Sequence, residues 1–199
     1  MATDTYNRLP VINGALLKIG LPPAQDYNDA TWGAIDRFES VAKQVFRTYA
    51  WGFAQKYATL TPNTSMLPTF GWSYAYTFPS DYLRLIDIHT HHDLRSYKCR
   101  YCISNGVILA NVNPCYARYV AYIEDASKWP LDFADAVSSL LAAHLAPLIA
   151  QTQAMTPSLI QLYNLSLQQA QNSDSTETTE RVPLDEDIYM ARMGARAQG

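Results

Sequence analysis

Apolar side chains recur at helical spacing in four stretches of the chain and at strand-like density between the second and third. Leu9, Ile12, Leu16 and Ile19 share one face of a helix predicted over residues 6–20, which Gly20 terminates just before Pro22 and Pro23. A second helix, over 29–51, takes Asn28 or Asp29 as its N-cap and gathers Trp32, Ile35, Phe38, Ala42, Val45, Phe46 and Tyr49 on one face, with Asp36, Arg37, Glu39, Lys43 and Arg47 opposite. The third, over 130–151, follows Trp129-Pro130 and carries a broad stripe from Phe133 and Val137 to Leu148 and Ile149, which Pro147 should kink or interrupt. The fourth, over 157–172, starts after Thr156 and holds Leu159, Ile160, Leu162, Tyr163, Leu165 and Leu167.

Thr, Pro, Asn, Ser and Gly crowd residues 59–71, so the chain should leave the helices there in a loop. The stretch 72–124 then reads as β. Tyr82–His89, Ser96–Ile103, Val107–Val112 and Tyr116–Glu124 are rich in β-branched and aromatic residues, Asn105-Gly106 is a hairpin turn signal, and Tyr74–Phe78 reads as an edge strand. The predicted fold is α+β: a bundle of about four helices with an inserted antiparallel β-meander, together filling residues 1–172. Residues 173–199 change to Ser, Asp, Thr and Glu, and are predicted to form a flexible C-terminal arm with too little apolar content to offset its own ordering.

At 199 residues the chain is long enough for one domain and a tail, at roughly 150 residues per domain. The formal charge of −3 and the absence of a basic block argue against wrapping nucleic acid through phosphate neutralisation. No apolar run is expected to approach the 18 or so residues of a membrane span, and the first residues lack the pattern of a signal peptide, so no membrane partner is expected and the cytosol is the expected compartment of synthesis. Fourteen tyrosines and four tryptophans exceed what a core of this size needs, and such rings are favoured in protein interfaces. Trp51, Trp72, Tyr74, Tyr76, Tyr82 and Trp129 are therefore the core or subunit-contact candidates.

Catalytic and metal chemistry find little footing. Cys99, Cys102 and Cys115 with His89, His91 and His92 invite a zinc reading, but in one strand Cys99 and Cys102 point to opposite faces; unpaired, metal-free thiols are expected. Ser80, Asp81 and His144 could be drawn as a hydrolase triad, yet no nucleophile elbow surrounds any serine, and the chain is expected not to be an enzyme and to need no cofactor. Asp185-Glu186-Asp187 lacks the glycine and alternation of a calcium loop. The rings of Trp72, Tyr74, Tyr76 and Phe78 share one face if extended, but no Lys or Arg lies between Lys56 and Arg84 to make that face a base-stacking groove.

Four blocks taken in order point further. They are Leu16-Leu17-Lys18-Ile19-Gly20-Leu21-Pro22-Pro23; Trp51-Gly52-Phe53-Ala54; the run from Gly71 to Ile88 with Pro79-Ser80-Asp81 at its turn; and Tyr122-Ile123-Glu124-Asp125 leading into Lys128-Trp129-Pro130-Leu131-Asp132-Phe133. In this order and spacing they resemble the tail adaptor proteins of short-tailed bacteriophages, the tail tubular protein A family, over roughly residues 10–170. The resemblance implies a structural virion protein: a homo-oligomeric ring, expected twelvefold, that joins the portal protein to the tail nozzle. It also implies a channel that passes double-stranded DNA without reading sequence, help in retaining the genome, and attachment of a fibre or spike. The expected location is the portal-proximal tail, with assembly in the host cytoplasm. Ile188, Tyr189, Met190, Arg192, Met193 and Arg196 then become portal-contact candidates that gain order on docking. The alternative is a helical binding module outside any virion, using the first two helices as a peptide groove.

Overall fold

The computed structural model describes residues 3–25, 33–66, 68, 70–91, 98–148 and 153–178. Among these residues are four helices, α1 (Thr3–Lys18), α2 (Ala34–Thr48), α3 (Leu131–Leu145) and α4 (Thr156–Thr178), and six strands, β1 (Gln55–Leu60), β2 (Tyr74–Thr77), β3 (Tyr82–His89), β4 (Tyr101–Ser104), β5 (Val107–Ala110) and β6 (Cys115–Ala121). The α+β class with four helices and antiparallel strands is as the patterning predicts.

Glycine sets the end of α1. Gly20 is left-handed at φ 79°, Leu21 N–H donates to Leu16 O at 2.9 Å and Gly20 N–H to Leu17 O at 3.0 Å, the paired bonds that close a helix C-terminus. α2 is shorter than predicted at both ends. It begins at Ala34, behind a left-handed Gly33 with no side-chain cap, and Asn28, Asp29 and Trp32 lie outside the described residues. At its other end Tyr49 is extended, and the Trp51 indole N–H turns back to donate to Val45 O at 3.1 Å. A 3₁₀ turn over Gly52–Ala54 then redirects the chain into β1, a strand the sequence does not predict and whose last two residues fall in the stretch expected to be a loop.

Strand order differs from a single meander. β1, β6 and β3 form one sheet in that order, and β2, β5 and β4 form another. The β4–β5 hairpin, turned by Asn105 (φ 50°) and Gly106 (φ 75°), sits in the second sheet, while the strands flanking it in sequence, β3 and β6, pair with each other in the first. The reason is burial. Ile88, Cys115, Ala117, Tyr119 and Ala121 of one sheet meet Tyr76, Ile108 and Ala110 of the other in a shared core, which a flat four-stranded array would leave half exposed.

The first sheet also serves the bundle. Val120 and Leu83 on its other face join the helical core, where α3 packs against α1, α2 and α4 at once. Such a position requires a helix apolar on nearly every side. Contrary to the expectation that no apolar run is that long, residues Leu131–Leu148 form an 18-residue window of mean hydropathy 1.2, long and apolar enough to cross a membrane by length and composition; 61% of the window is buried inside the molecule. Because α3 occupies the space α1 and α2 would otherwise enclose, Ile12, Leu16, Phe38, Val41 and Val45 are all buried. Polar ties reinforce the packing: the Lys18 ammonium donates to Asp135 Oδ1 at 2.7 Å, and Ser166 Oγ of α4 donates to Asp135 Oδ2 at 2.7 Å.

Candidate functional site

The aromatic candidates divide by depth. Trp51 and Trp129 are buried in the bundle core, where Trp129 stacks on Phe38 with centroids 5.8 Å apart and Trp51 meets Phe133 edge-on at 5.0 Å. Tyr76 is buried between the sheets, its hydroxyl donating to Val112 O; Tyr74 and Tyr82 pack half-buried against the same core, and Trp72 is half-buried two residues before β2. Phe78 stacks on Tyr82 at 4.0 Å, so most of the period-two ring face is inter-sheet core. The apolar groups that do face solvent are others. On α4, Leu162 and Leu165 are 38% and 65% exposed and three residues apart, which puts them on one helical face beside the turn that buries Leu159, Ser166 and Ala170 against the bundle. Leu131, at the start of α3, is 87% exposed.

The portal-contact candidates Ile188, Tyr189, Met190, Arg192, Met193 and Arg196 lie outside the described residues, as does Asp185-Glu186-Asp187. What is described is their point of departure, and it corrects the expected boundary at residue 172. α4 continues to Thr178, and its last turns dock on the turn after α2. The Gly52 N–H donates to both Asp174 carboxylate oxygens at 2.8 and 3.0 Å, and Ser173 Oγ donates to Asp132 Oδ2 at 2.7 Å. Burial pushes the Asp174 carboxyl pKa up, against the lowering effect of the Gly52 N–H. No periodic signal marks this contact in the sequence, because a single buried Asp in a hydroxyl-rich run looks like linker.

Gly52 packs closely on the end of α4: a Cβ built there would overlap Thr178 Oγ1 and lie 3.2 Å from Thr178 Cβ. Gly52→Ala is therefore expected to cost about 1–3 kcal/mol, the range for forcing extra volume into a packed contact. Thr178→Ala in the same chain removes the offending oxygen and should recover most of that loss; equal losses in the single and double variants, measured by urea unfolding, would disprove the contact.

A second cluster sits on the first sheet. Asp87 of β3 is 3% exposed and opposes Arg118 of β6, which donates to it from Nε at 3.1 Å and Nη2 at 2.6 Å. His89 Nε2 lies 3.1 Å from Asp87 Oδ1, and Lys98 Nζ lies 3.5 Å from Oδ2. Burial alone would raise the Asp87 pKa, but the Arg118 hydrogen bonds and charge, with His89, outweigh it and hold the carboxyl below its usual range. Beside this cluster opens a cavity of about 350 Å³ lined by Tyr57, Thr59, His89, His91, Tyr116 and Arg118. Sequence reading passes over Asp87 and Arg118, although a lone Asp in the apolar run of β3 and an Arg between tyrosines in β6 are the available signal.

Of the residues drawn as a triad, Ser80 is exposed, and Asp81 and His144 sit on different elements with different neighbours. Asp81 accepts from Lys56 Nζ at 2.6 Å and from the Tyr119 hydroxyl at 3.0 Å. His144 faces a cleft on the bundle with Arg37, Ile160, Tyr163 and Asn164, where burial and the Arg37 charge lower its pKa. Cys115 is buried between the sheets and its thiol is pushed up to about 11 by burial; Cys99 is half-buried beside that core, and Cys102 is exposed on β4. Among the described residues no three His, Cys, Asp or Glu side chains are grouped to hold a metal ion. His92 lies outside the described residues. Compared with known proteins, the chain gives no match to a protein-family model and no significant match to a curated protein.

Proposed function

We propose that this chain is the tail adaptor subunit of a short-tailed bacteriophage. Copies form a ring, twelvefold by the resemblance, between the portal and the tail nozzle; the ring encloses a channel for double-stranded DNA, helps to retain the genome and offers a surface to a fibre or spike. The reading is supported by one observation above the others: the apolar side chains Leu162 and Leu165 are exposed on a helix whose adjoining face buries Leu159, Ser166 and Ala170 against the bundle. A helix with two faces of contact suits a subunit that meets neighbours on both sides. A head-to-tail ring contact is heterologous and closes when the rotation between neighbours divides a full turn evenly. The 3₁₀ turn at Gly52–Ala54 and the helix start at Leu131, two of the four blocks of the resemblance, meet where α4 ends, so those blocks carry the base of the C-terminal arm.

The test is assembly. Purified protein mixed with portal should be found by electron microscopy and sedimentation as a ring on the portal, and Leu162→Glu with Leu165→Glu should abolish the ring while leaving the monomer folded. A chain that stays monomeric alone and with portal would overturn the reading in favour of a binding module. A second arm of the experiment truncates the chain after Thr178, since the helix runs to that residue. The truncated core should still unfold cooperatively, because both buried clusters draw on residues before 178, but lose co-sedimentation with portal. Undiminished portal binding would move the attachment to the helical core.

A further inference from the structure

The bundle covers only part of the first sheet. On the face that turns toward the helices, Gln55 pairs with Val120, Tyr57 with Arg118 and Thr59 with Tyr116, while Asp87 and His89 of β3 continue the last two rows. Val120 is sealed into the helical core; from Arg118 onward the same face opens as the 350 Å³ cavity, where Tyr57 is 59% exposed. The walls are largely aromatic and apolar, and among the described residues the two cations Arg118 and Lys98 flank one carboxylate, that of Asp87, which already takes two hydrogen bonds from Arg118. This combination fits an apolar or aromatic side chain next to carboxylates.

Such a segment exists in this chain and starts nearby. Thr178 packs against Gly52, five residues before Tyr57, so the Tyr57 edge of the cavity lies at most about 18 Å from that contact, and Arg118 is one strand, about 5 Å, further. Asp185 follows Thr178 by seven residues, which extended chain can stretch over about 23–25 Å. The sequence there is Asp185-Glu186-Asp187-Ile188-Tyr189. We infer that the uncovered end of the first sheet is the docking site for residues 185–189 of the same chain, with the acidic triplet on Arg118 and Lys98 and with Ile188 or Tyr189 against Tyr57. A short tether makes this an intramolecular event at high effective concentration, so one's own arm outcompetes that of a second copy at ordinary dilution. The docking needs no assumption about portal or phage. If the adaptor reading also holds, portal must draw the anchor out of this site, which delays ring attachment until portal is present.

Zero-length carbodiimide coupling of the full chain tests it, because it joins a carboxylate to a lysine only in contact. Lys98 should couple to residues 185–187 at least tenfold more than the exposed Lys43 and Lys128 do, and Tyr57→Asp should lower the Lys98 product at least fivefold while leaving the circular dichroism unchanged. An equal mixture of ¹⁵N-labelled and unlabelled protein should give almost wholly same-isotope Lys98 products. Coupling spread evenly over the lysines, none at Lys98, or no loss in Tyr57→Asp overturns the docking site. Mixed-isotope products at the statistical level overturn the intramolecular assignment and give the site to a neighbouring copy's arm.

Discussion

Trp129→Ala is expected to lower the unfolding free energy by about 3–5 kcal/mol, the usual cost of emptying a large aromatic site in a core. Trp129 is 5% exposed and sits where sheet meets bundle: it stacks on Phe38 at 5.8 Å and meets Phe46 and Phe133 edge-on at 5.5 and 5.3 Å. Its indole N–H donates to Ile123 O at 2.9 Å, which ties the end of the strand region to the start of α3. Alanine leaves a cavity among three aromatic rings that are themselves held by Trp51, Phe53 and Tyr122, so the site cannot collapse cheaply. It also leaves the part-buried Ile123 carbonyl without this donor. Phenylalanine should restore about half of the loss, keeping the stacking area but not the hydrogen bond. Denaturant unfolding of the monomer is the measurement; a loss below about 1 kcal/mol would place the ring outside the core.

Trp129 was legible in the sequence because it stands between strong signals of two kinds, a period-two run before it and a proline-started helix after it. The same holds for the Asn105-Gly106 hairpin and for the Gly20 terminus, where backbone conformation is dictated by one residue type. β1 was not legible. Gln55-Lys56-Tyr57-Ala58-Thr59-Leu60 alternates poorly and stays half exposed, and it is a strand because β6 offers it a partner, a long-range cause that no local window contains. The end of α4 was misread for a related reason. Ser173–Thr178 has weak helix preference, but Asp174 finds the Gly52 N–H and Ser173 finds Asp132, two partners far away in sequence. The two-sheet arrangement also lies beyond local pattern, since strand spacing alone does not say which strands pair. The cavity beside Arg118 follows from that pairing, so it too was hidden.

Asp87→Asn should cost about 2–3 kcal/mol near neutral pH, because it removes the negative partner of a nearly buried pair and leaves Arg118 with an uncompensated charge. Arg118 is 27% exposed on its side chain, so water relieves part of that penalty and the loss stays below what a fully buried pair would give. The effect carries its own pH signature. The folded-state pKa of Asp87 lies below its unfolded value of about 3.8, so its contribution is fully present above pH 4 and is lost as pH falls through the folded pKa. Asp81 and Asp135 are shifted the same way by Lys56 and Tyr119 and by Lys18 and Ser166, and both chains lose those contributions alike in acid. Asp174 has the opposite sign, its raised pKa making the folded state relatively less unfavourable once that carboxyl is protonated. The difference between the wild-type chain and Asp87→Asn isolates one carboxylate from this background: large at pH 7, it should shrink steadily below pH 4. Urea unfolding of both chains from pH 7 down to pH 3 would show it. A difference that stays constant over that range means Asp87 acts through packing shape alone, and Arg118 then has no need of its charge.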